Sequence, residues 1–357
     1  MRNSALVGAG IAALLATSSA HAHHPGGAGT VSNAGPIVTI SAETLAKGQS
    51  AVAVMMEATR IAAFSDSQLV NSASKHVHAH SLDAILSATA AFAYGLTNDL
   101  TASLRLPYVA RSDIREGHHA HIHGQGVINE AVHRGDSEGL GDLTAMLQWR
   151  FLHNRESGTQ WALLGGMKMP TGETAARDRA GERFELEFQP GTGSWDWMIG
   201  LAATQPAGAF SLSANVLYVT TGRGDSDTDL GDRLHYNLAV SYRLLGTSGE
   251  TRSRAGAMYH GPSTKASPAP HDEPRDTRSP VLDLALELNG EWHDRQTIGG
   301  IPDPNSGGNV VYVAPGARLS VDRWSTFLSV GVPVVSNLNG VQAEPDYRVL
   351  SGLSVAF

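Results

Sequence analysis

Along most of this chain, apolar and polar residues alternate one by one. The final stretch shows the pattern. Tyr347, Val349, Leu353, Val355 and Phe357 share one face of an extended strand. Arg348, Gly352, Ser354 and Ala356 share the other, with Leu350 the one apolar exception. Successive side chains of a strand point to opposite sides, so this is a strand greasy on one side and polar on the other. Similar segments fall at 51–61, 82–94, 100–110, 141–151, 160–169, 194–203, 209–220, 232–244, 281–292, 309–320, 323–333 and 346–357. In one of them Leu282, Leu284, Leu286 and Leu288 oppose Asp283, Ala285, Glu287 and Asn289. The first segment is the least regular, because Arg60 falls on its apolar side. A single such segment is a weak signal, but about twelve in one chain predict an all-β fold, a closed antiparallel transmembrane β-barrel. Closure is required because a bilayer offers no partner to an open sheet edge.

The connections agree with this reading. Outer-membrane barrels have short turns at the periplasmic end and long loops at the outer end. The expected outer loops are 62–81, 111–140, 170–193, 221–231, 293–308 and 334–345, all long. The expected periplasmic turns are 95–99, 152–159, 204–208 and 321–322, all short. One connection breaks the rule. Residues 245–280, which include SPAPHDEPRDTRSP, are rich in proline and charge and read as a disordered insert.

Ahead of the first strand, Arg2, the apolar run Ala5–Ala16 and the A-x-A pattern ending at Ala22 predict a signal peptide over 1–22. That apolar run is too short to span a membrane as a helix. Residues 23–50 follow, glycine-rich and then apolar at Pro36–Ile40, and read either as a periplasmic arm or as a partial plug of the lumen. Leader and barrel together predict the outer membrane of a Gram-negative bacterium. Trp149, Trp161, Trp195, Trp197, Trp292, Trp324 and Phe357 fall where an aromatic girdle belongs. The terminal strand ending at Phe357 is the expected handle for the barrel-assembly machinery. The chain has no cysteine, which excludes disulfides, thiolate metal sites and cysteine nucleophiles. A formal charge of −8 argues against nucleic-acid binding.

Three groups of residues could carry chemistry. The inward positions Glu57, Asp83, Asp142, Asp196, Asp283 and Glu287 face Arg105, Arg150, Lys168, Arg243, Arg318 and Arg348, with His235 on the same side. The mixed signs predict either a charge network that packs the interior or a polar conduit lined by pairs. The outer loops carry two histidine runs: His76, His78 and His80, then His118, His119, His121 and His123. Imidazole ligates zinc, copper or nickel. No spacing here fixes a geometry, so the runs predict either weak binding of one of these metals or merely a solvated, pH-sensitive loop. No cofactor is required. Enzyme chemistry is not expected: G-x-S-x-G is absent, and His235 is the one histidine expected within a strand, aimed inward. Asp225, Asp227 and Asp229 match a calcium loop only incompletely and read as an acidic loop.

Three motifs carry a resemblance. They are Gly139-Leu140-Gly141-Asp142-Leu143, Met169-Pro170-Thr171-Gly172-Glu173 and Pro190-Gly191-Thr192-Gly193-Ser194-Trp195-Asp196. As a set the chain resembles the outer-membrane family named for the meta-pathway of phenol degradation, most firmly over 85–245. The resemblance implies an outer-membrane barrel proposed to pass aromatic or other apolar compounds, and it brings no agreed binding residues. The motifs also read as structural, since Gly-Asp and Pro-Thr-Gly end and restart strands at a rim. The expected function is therefore an outer-membrane channel or transporter for small solutes, apolar or aromatic ones included. The alternatives are a metal-capturing or metal-uptake protein and a structural barrel without transport.

Overall fold

The computed structural model describes residues 34–122, 126–246 and 280–357. The expected signal peptide, residues 23–33, His123 and 247–279 of the expected insert lie outside the described residues, as does the side chain of His121. The long strands are β1 (Ser50–Ala62), β2 (Ala84–Thr97), β3 (Leu100–Ile122), β4 (Gly126–Leu140), β5 (Leu143–His153), β6 (Gln160–Met169), β7 (Asp196–Ala207), β8 (Phe210–Thr220), β9 (Arg233–Leu245), β10 (Val281–His293), β11 (Gly308–Val321), β12 (Trp324–Leu338) and β13 (Glu344–Ala356).

Among the described residues, every long strand but β4 joins one antiparallel ring. Sequential neighbours pair from β5 through β13, β13 pairs β1, and β1 pairs β2, which pairs β3. The lower half of β3 then meets β5, from Leu100↔Trp149 to Arg105↔Thr144, and a twelve-strand barrel is closed. At the seam β1 and β13 pair from Ala51↔Ala356 to Ala62↔Glu344. Ser50 and Phe357 exchange backbone hydrogen bonds beyond it. The alternation is visible in exposure. Leu284, Leu286 and Leu288 are exposed, whereas Asp283, Glu287 and Asn289 between them are at most 4% exposed. An apolar outside around a polar inside is stable only when the outer solvent is lipid. Tryptophan forms two belts. Trp149, Trp161 and Trp324 lie on strand segments next to the short turns, and Trp195, Trp197 and Trp292 lie at the long-loop end.

Two outer loops are more ordered than a loop reading implies. Residues 111–140 are not a loop. β3 runs on past the rim to Ile122 and β4 returns beside it, a hairpin standing outside the bilayer. Charged and polar residues such as Arg115, Glu116, His118, His119, Glu130 and His133 fall on both of its faces, so it lacks the alternation that marks a lipid-facing strand. Histidine is consequently not confined to His235 within strands: β3 carries His118, His119 and His121, β4 His133, β5 His153 and β10 His293. Loop 62–81 contains helix α1 (Asp66–Ser74), closed by a capping box between Ser65 and Gln68. Its Leu69 and Ala73 are buried. Asp83 lies just ahead of β2 rather than within a strand, ion-paired at the rim with Arg60 (3.5 Å) and Arg115 (3.0 Å). That pairing accounts for Arg60 on the apolar face.

Residues 34–46 lie inside the wall, and the exposed Gly48 and Gln49 then join the backbone of Gly95 on β2. Ile37, Val38, Ile40, Ala42 and Leu45 are each at most 5% exposed. Ile37 and Val38 pack with Ala285 and Leu350, which explains the apolar exception on the inner face of β13. Ile40 and Ala42 pack with Met146, Leu164, Ala202 and Leu217.

Candidate functional site

At the outer rim the three glycine-bearing motifs meet in one knot. The Asp142 carboxylate accepts from the backbone N–H of Gly172 (2.8 Å) and of Thr192 (2.9 Å), and from Thr192 Oγ1 (2.7 Å). Lys168 Nζ lies 3.3 Å from Asp142 and 2.8 Å from Asp196, and Arg233 reaches Asp196 at 3.5 Å. All four groups are buried. Gly172 and Gly191 touch backbone to backbone. A Cβ on Gly191 would sit 2.5 Å from the Gly172 carbonyl carbon, closer than real carbons approach. The motifs are thus read here by each other, and Asp142, Lys168 and Asp196 form a structural lock at the rim.

Below the rim, the wall holds residues 34–49 by their backbone. Glu287 accepts from the N–H groups of Ile37, Val38 and Thr39 and from Thr39 Oγ1. Asn215 accepts from Ile40 N–H (2.9 Å), Thr204 from Ala42 N–H (2.9 Å) and Thr101 from Leu45 N–H (2.9 Å). Gln148 donates to the carbonyls of Ser41 (2.9 Å) and Glu43 (2.8 Å), and Arg318 donates to that of Pro36 (2.5 Å). Beside this row Arg243 makes a two-pronged pair with Asp283 at 2.8 and 3.0 Å. Arg348 bonds Asn289 (3.2 Å), lies 3.9 Å from Glu57, and covers the Tyr312 ring. Arg105 faces inward from β3 between the exposed Leu104 and Leu106. His235 is buried opposite Glu291. Arg150 sits lower, tying the short-turn end through Asp99 and Asn98.

The mouth is partly roofed by the segment 170–195. Phe184 and Phe188 anchor it against Leu82, Ile85, Val109 and Ile114, and Arg111 donates to the carbonyl of Gln189 (3.0 Å). Beneath it lies a cavity of about 220 Å³, whose lining includes His78, His80, Glu187, Phe188, Glu291 and Tyr312.

Of the expected histidines, the structure brings His78 and His80 together, rings 4.5 Å apart. With Glu116 and Glu185 they converge so that one ligand atom from each lies within 4.8 Å of every other. His80 Nδ1 bonds Glu187 (2.6 Å). Burial pushes the His80 imidazole down, but the carboxylates of Glu187, Glu185 and Glu116 outweigh it and raise its pKa to about 9. Burial in turn pushes the Glu185 carboxyl up. His76 and His119 pair elsewhere, rings 4.3 Å apart, and His118 is exposed on β3. Spacing alone showed His-x-His but not its acidic partners. Glu116 arrives because β3 continues past the rim, directly opposite His80, and Glu185 because the roof folds inward.

A closed ring of twelve strands, lipid-facing outside and polar within, is an outer-membrane β-barrel. The chain matches the family described as "Putative MetA-pathway of phenol degradation" over residues 95–281, more than half its length, and belongs to that family. The COG4313 outer membrane channel from Pseudomonas putida F1 shares the fold: 14% identity and a TM-score of 0.52, over 88% of this chain and 97% of that one. The NanC porin is a more distant likeness, at 8% identity and a TM-score of 0.41 over 85% of this chain and 98% of that one. No curated protein matches the chain.

Proposed function

We propose that this protein is a gated outer-membrane channel for small solutes, with residues 34–49 as its gate. The observation that carries the reading is the way this segment is held. Up to Ala46 it makes, among the described residues, no backbone-to-backbone bond with the wall, and its described polar contacts there are mostly single side chains of the wall reaching its backbone; Gly48 and Gln49, bonded to Gly95, anchor its end. Such bonds are each worth about 0.5–1.5 kcal/mol net, more where a charge is involved. A segment so attached can leave as a unit while the barrel stays closed. The mouth cavity places Phe188 and Tyr312 beside polar groups, which suits a solute with an aromatic or apolar body and a polar edge. Nothing in this mechanism requires a reaction at the barrel.

The test is single-channel recording in planar bilayers with the intact chain and with a chain lacking 34–46. The shortened chain should conduct steadily and the intact chain only in brief openings. Equal silence in both, from folded protein, would sink the channel reading. A second reading, metal capture at the mouth, is favoured by the His78, His80, Glu116 and Glu185 cluster alone.

We also propose that the barrel-assembly machinery engages the last strand. Phe357 is exposed to lipid, while its backbone N–H donates to Ser50 O (2.8 Å) and its carbonyl accepts from Ser50 N–H (3.2 Å), closing the seam. Removing Phe357 should cut the folded yield in the outer membrane severalfold. Unchanged yield in a membrane fractionation would count against that role.

A further inference from the structure

We infer that His78, His80, Glu116 and Glu185 form a binding site for one divalent transition metal of the zinc type at the outer mouth. The inference rests on the mouth alone and holds whether or not the lumen conducts. Each ligand is placed by a different feature of the fold. His78 and His80 stand one residue apart, and their rings lie 4.5 Å from each other. His80–Ser81 forms a two-residue strand against β3, which sets His80 directly across from Glu116. Glu185 comes from the roof, two residues before Glu187 on the same turn of chain.

An independent observation points to a ligand. His80 Nε2 is buried and has no hydrogen-bond partner among the described residues. Its nearest carboxylate oxygen, on Glu185, is 3.8 Å away. The other ring nitrogen is engaged by Glu187. This is the arrangement of a metal-ligating histidine, one nitrogen held by a carboxylate and the other presented to the ion. Glu116 is steadied in the same manner by Arg134, which also binds Asp178 (2.8 Å).

The donor set selects the class of ion. Two imidazoles favour zinc, copper, nickel or iron over magnesium or calcium, and two carboxylates make the first shell of a dication neutral. Ligand atoms around a tetrahedral zinc lie about 3.4 Å apart, so this set closes with side-chain shifts on the order of an ångström. The cavity of about 220 Å³ beside His78 and His80 supplies the approach.

The test uses the full mature chain refolded in detergent, with Zn²⁺ alone titrated against a chromophoric chelator and Co²⁺ as a spectroscopic stand-in. One tight zinc per chain is expected, with the Co²⁺ spectrum of a four-coordinate site. His80→Ala and Glu185→Gln should each abolish that spectrum, and Glu187→Gln, which touches no metal, should weaken zinc by about 10- to 100-fold. The triple change His118→Ala, His121→Ala, His123→Ala should leave both readouts unchanged. If the triple change removes the tight zinc, or if folded His78→Ala, His80→Gln protein keeps it, the assignment is overturned. Absence of tight zinc from the intact chain overturns it as well.

Discussion

Glu287→Gln should raise the fraction of time the barrel is open by about 100-fold. The Glu287 carboxylate is buried in the wall. It gathers the N–H groups of Ile37, Val38 and Thr39 and the hydroxyl of Thr39, the densest set of contacts on residues 34–49. Hydrogen bonds to a charged acceptor contribute about 1.5–3 kcal/mol, against about 1 for a neutral one. Glutamine keeps the shape but offers one neutral oxygen in place of two charged ones, so the seated state loses about 3 kcal/mol. At about 1.4 kcal/mol per tenfold, that is about two decades in the closed-to-open ratio. Asn215→Ala removes a single bond, to Ile40 N–H, and should open the channel only severalfold. Single-channel records decide it, and an unchanged open fraction in Glu287→Gln would mean that the segment is not the gate.

The second large effect is on stability. Lys168→Met should destabilise the barrel by about 3–5 kcal/mol, because it strips the shared cation from two buried carboxylates. The side chains of Lys168, Asp142 and Asp196 are at most 2% exposed, so water cannot take over the lost charge. Arg233 remains, 3.5 Å from Asp196, and makes no described ion pair with Asp142. Asp142 would keep its bonds to Gly172 and Thr192 while its charge went uncompensated. Guanidinium unfolding in micelles, followed by tryptophan fluorescence, measures the loss. A cost under about 1 kcal/mol would show that the rim is not held by this lock.

What the sequence made legible follows the reach of each signal. A strand in contact with lipid on one face and a polar lumen on the other must alternate at period two, so the twelve wall strands were readable from residues such as Leu284 against Asp283. The hairpin of β3 and β4 leaves the bilayer, loses that constraint and reads as loop. Helix α1 had a signal that alternation alone passes over: Ser65, Asp66, Ser67 and Gln68 spell a capping box ahead of Leu69 and Ala73. The lumen segment left its trace in two places, the apolar run at Pro36–Ile40 and the misplaced Leu350, which make sense only together. The mouth cluster was half legible. His78 and His80 are neighbours in the chain, whereas Glu116 and Glu185 reach them only through long-range folding that no local spacing encodes.

The manner in which residues 34–49 are held also has a consequence for inheritance. The wall recognises this segment chiefly through amides and carbonyls, which every residue but proline supplies alike. Selection acting on its seat therefore falls on Glu287, Asn215, Thr204, Gln148 and Thr101, scattered over five strands, while the segment itself answers mostly for volume, with Thr39 and Thr44 the exceptions through their hydroxyls. Among relatives the insert inside the barrel is then free to drift in sequence faster than the sockets that receive it, and a foreign stretch of matching size and greasiness could be grafted in its place.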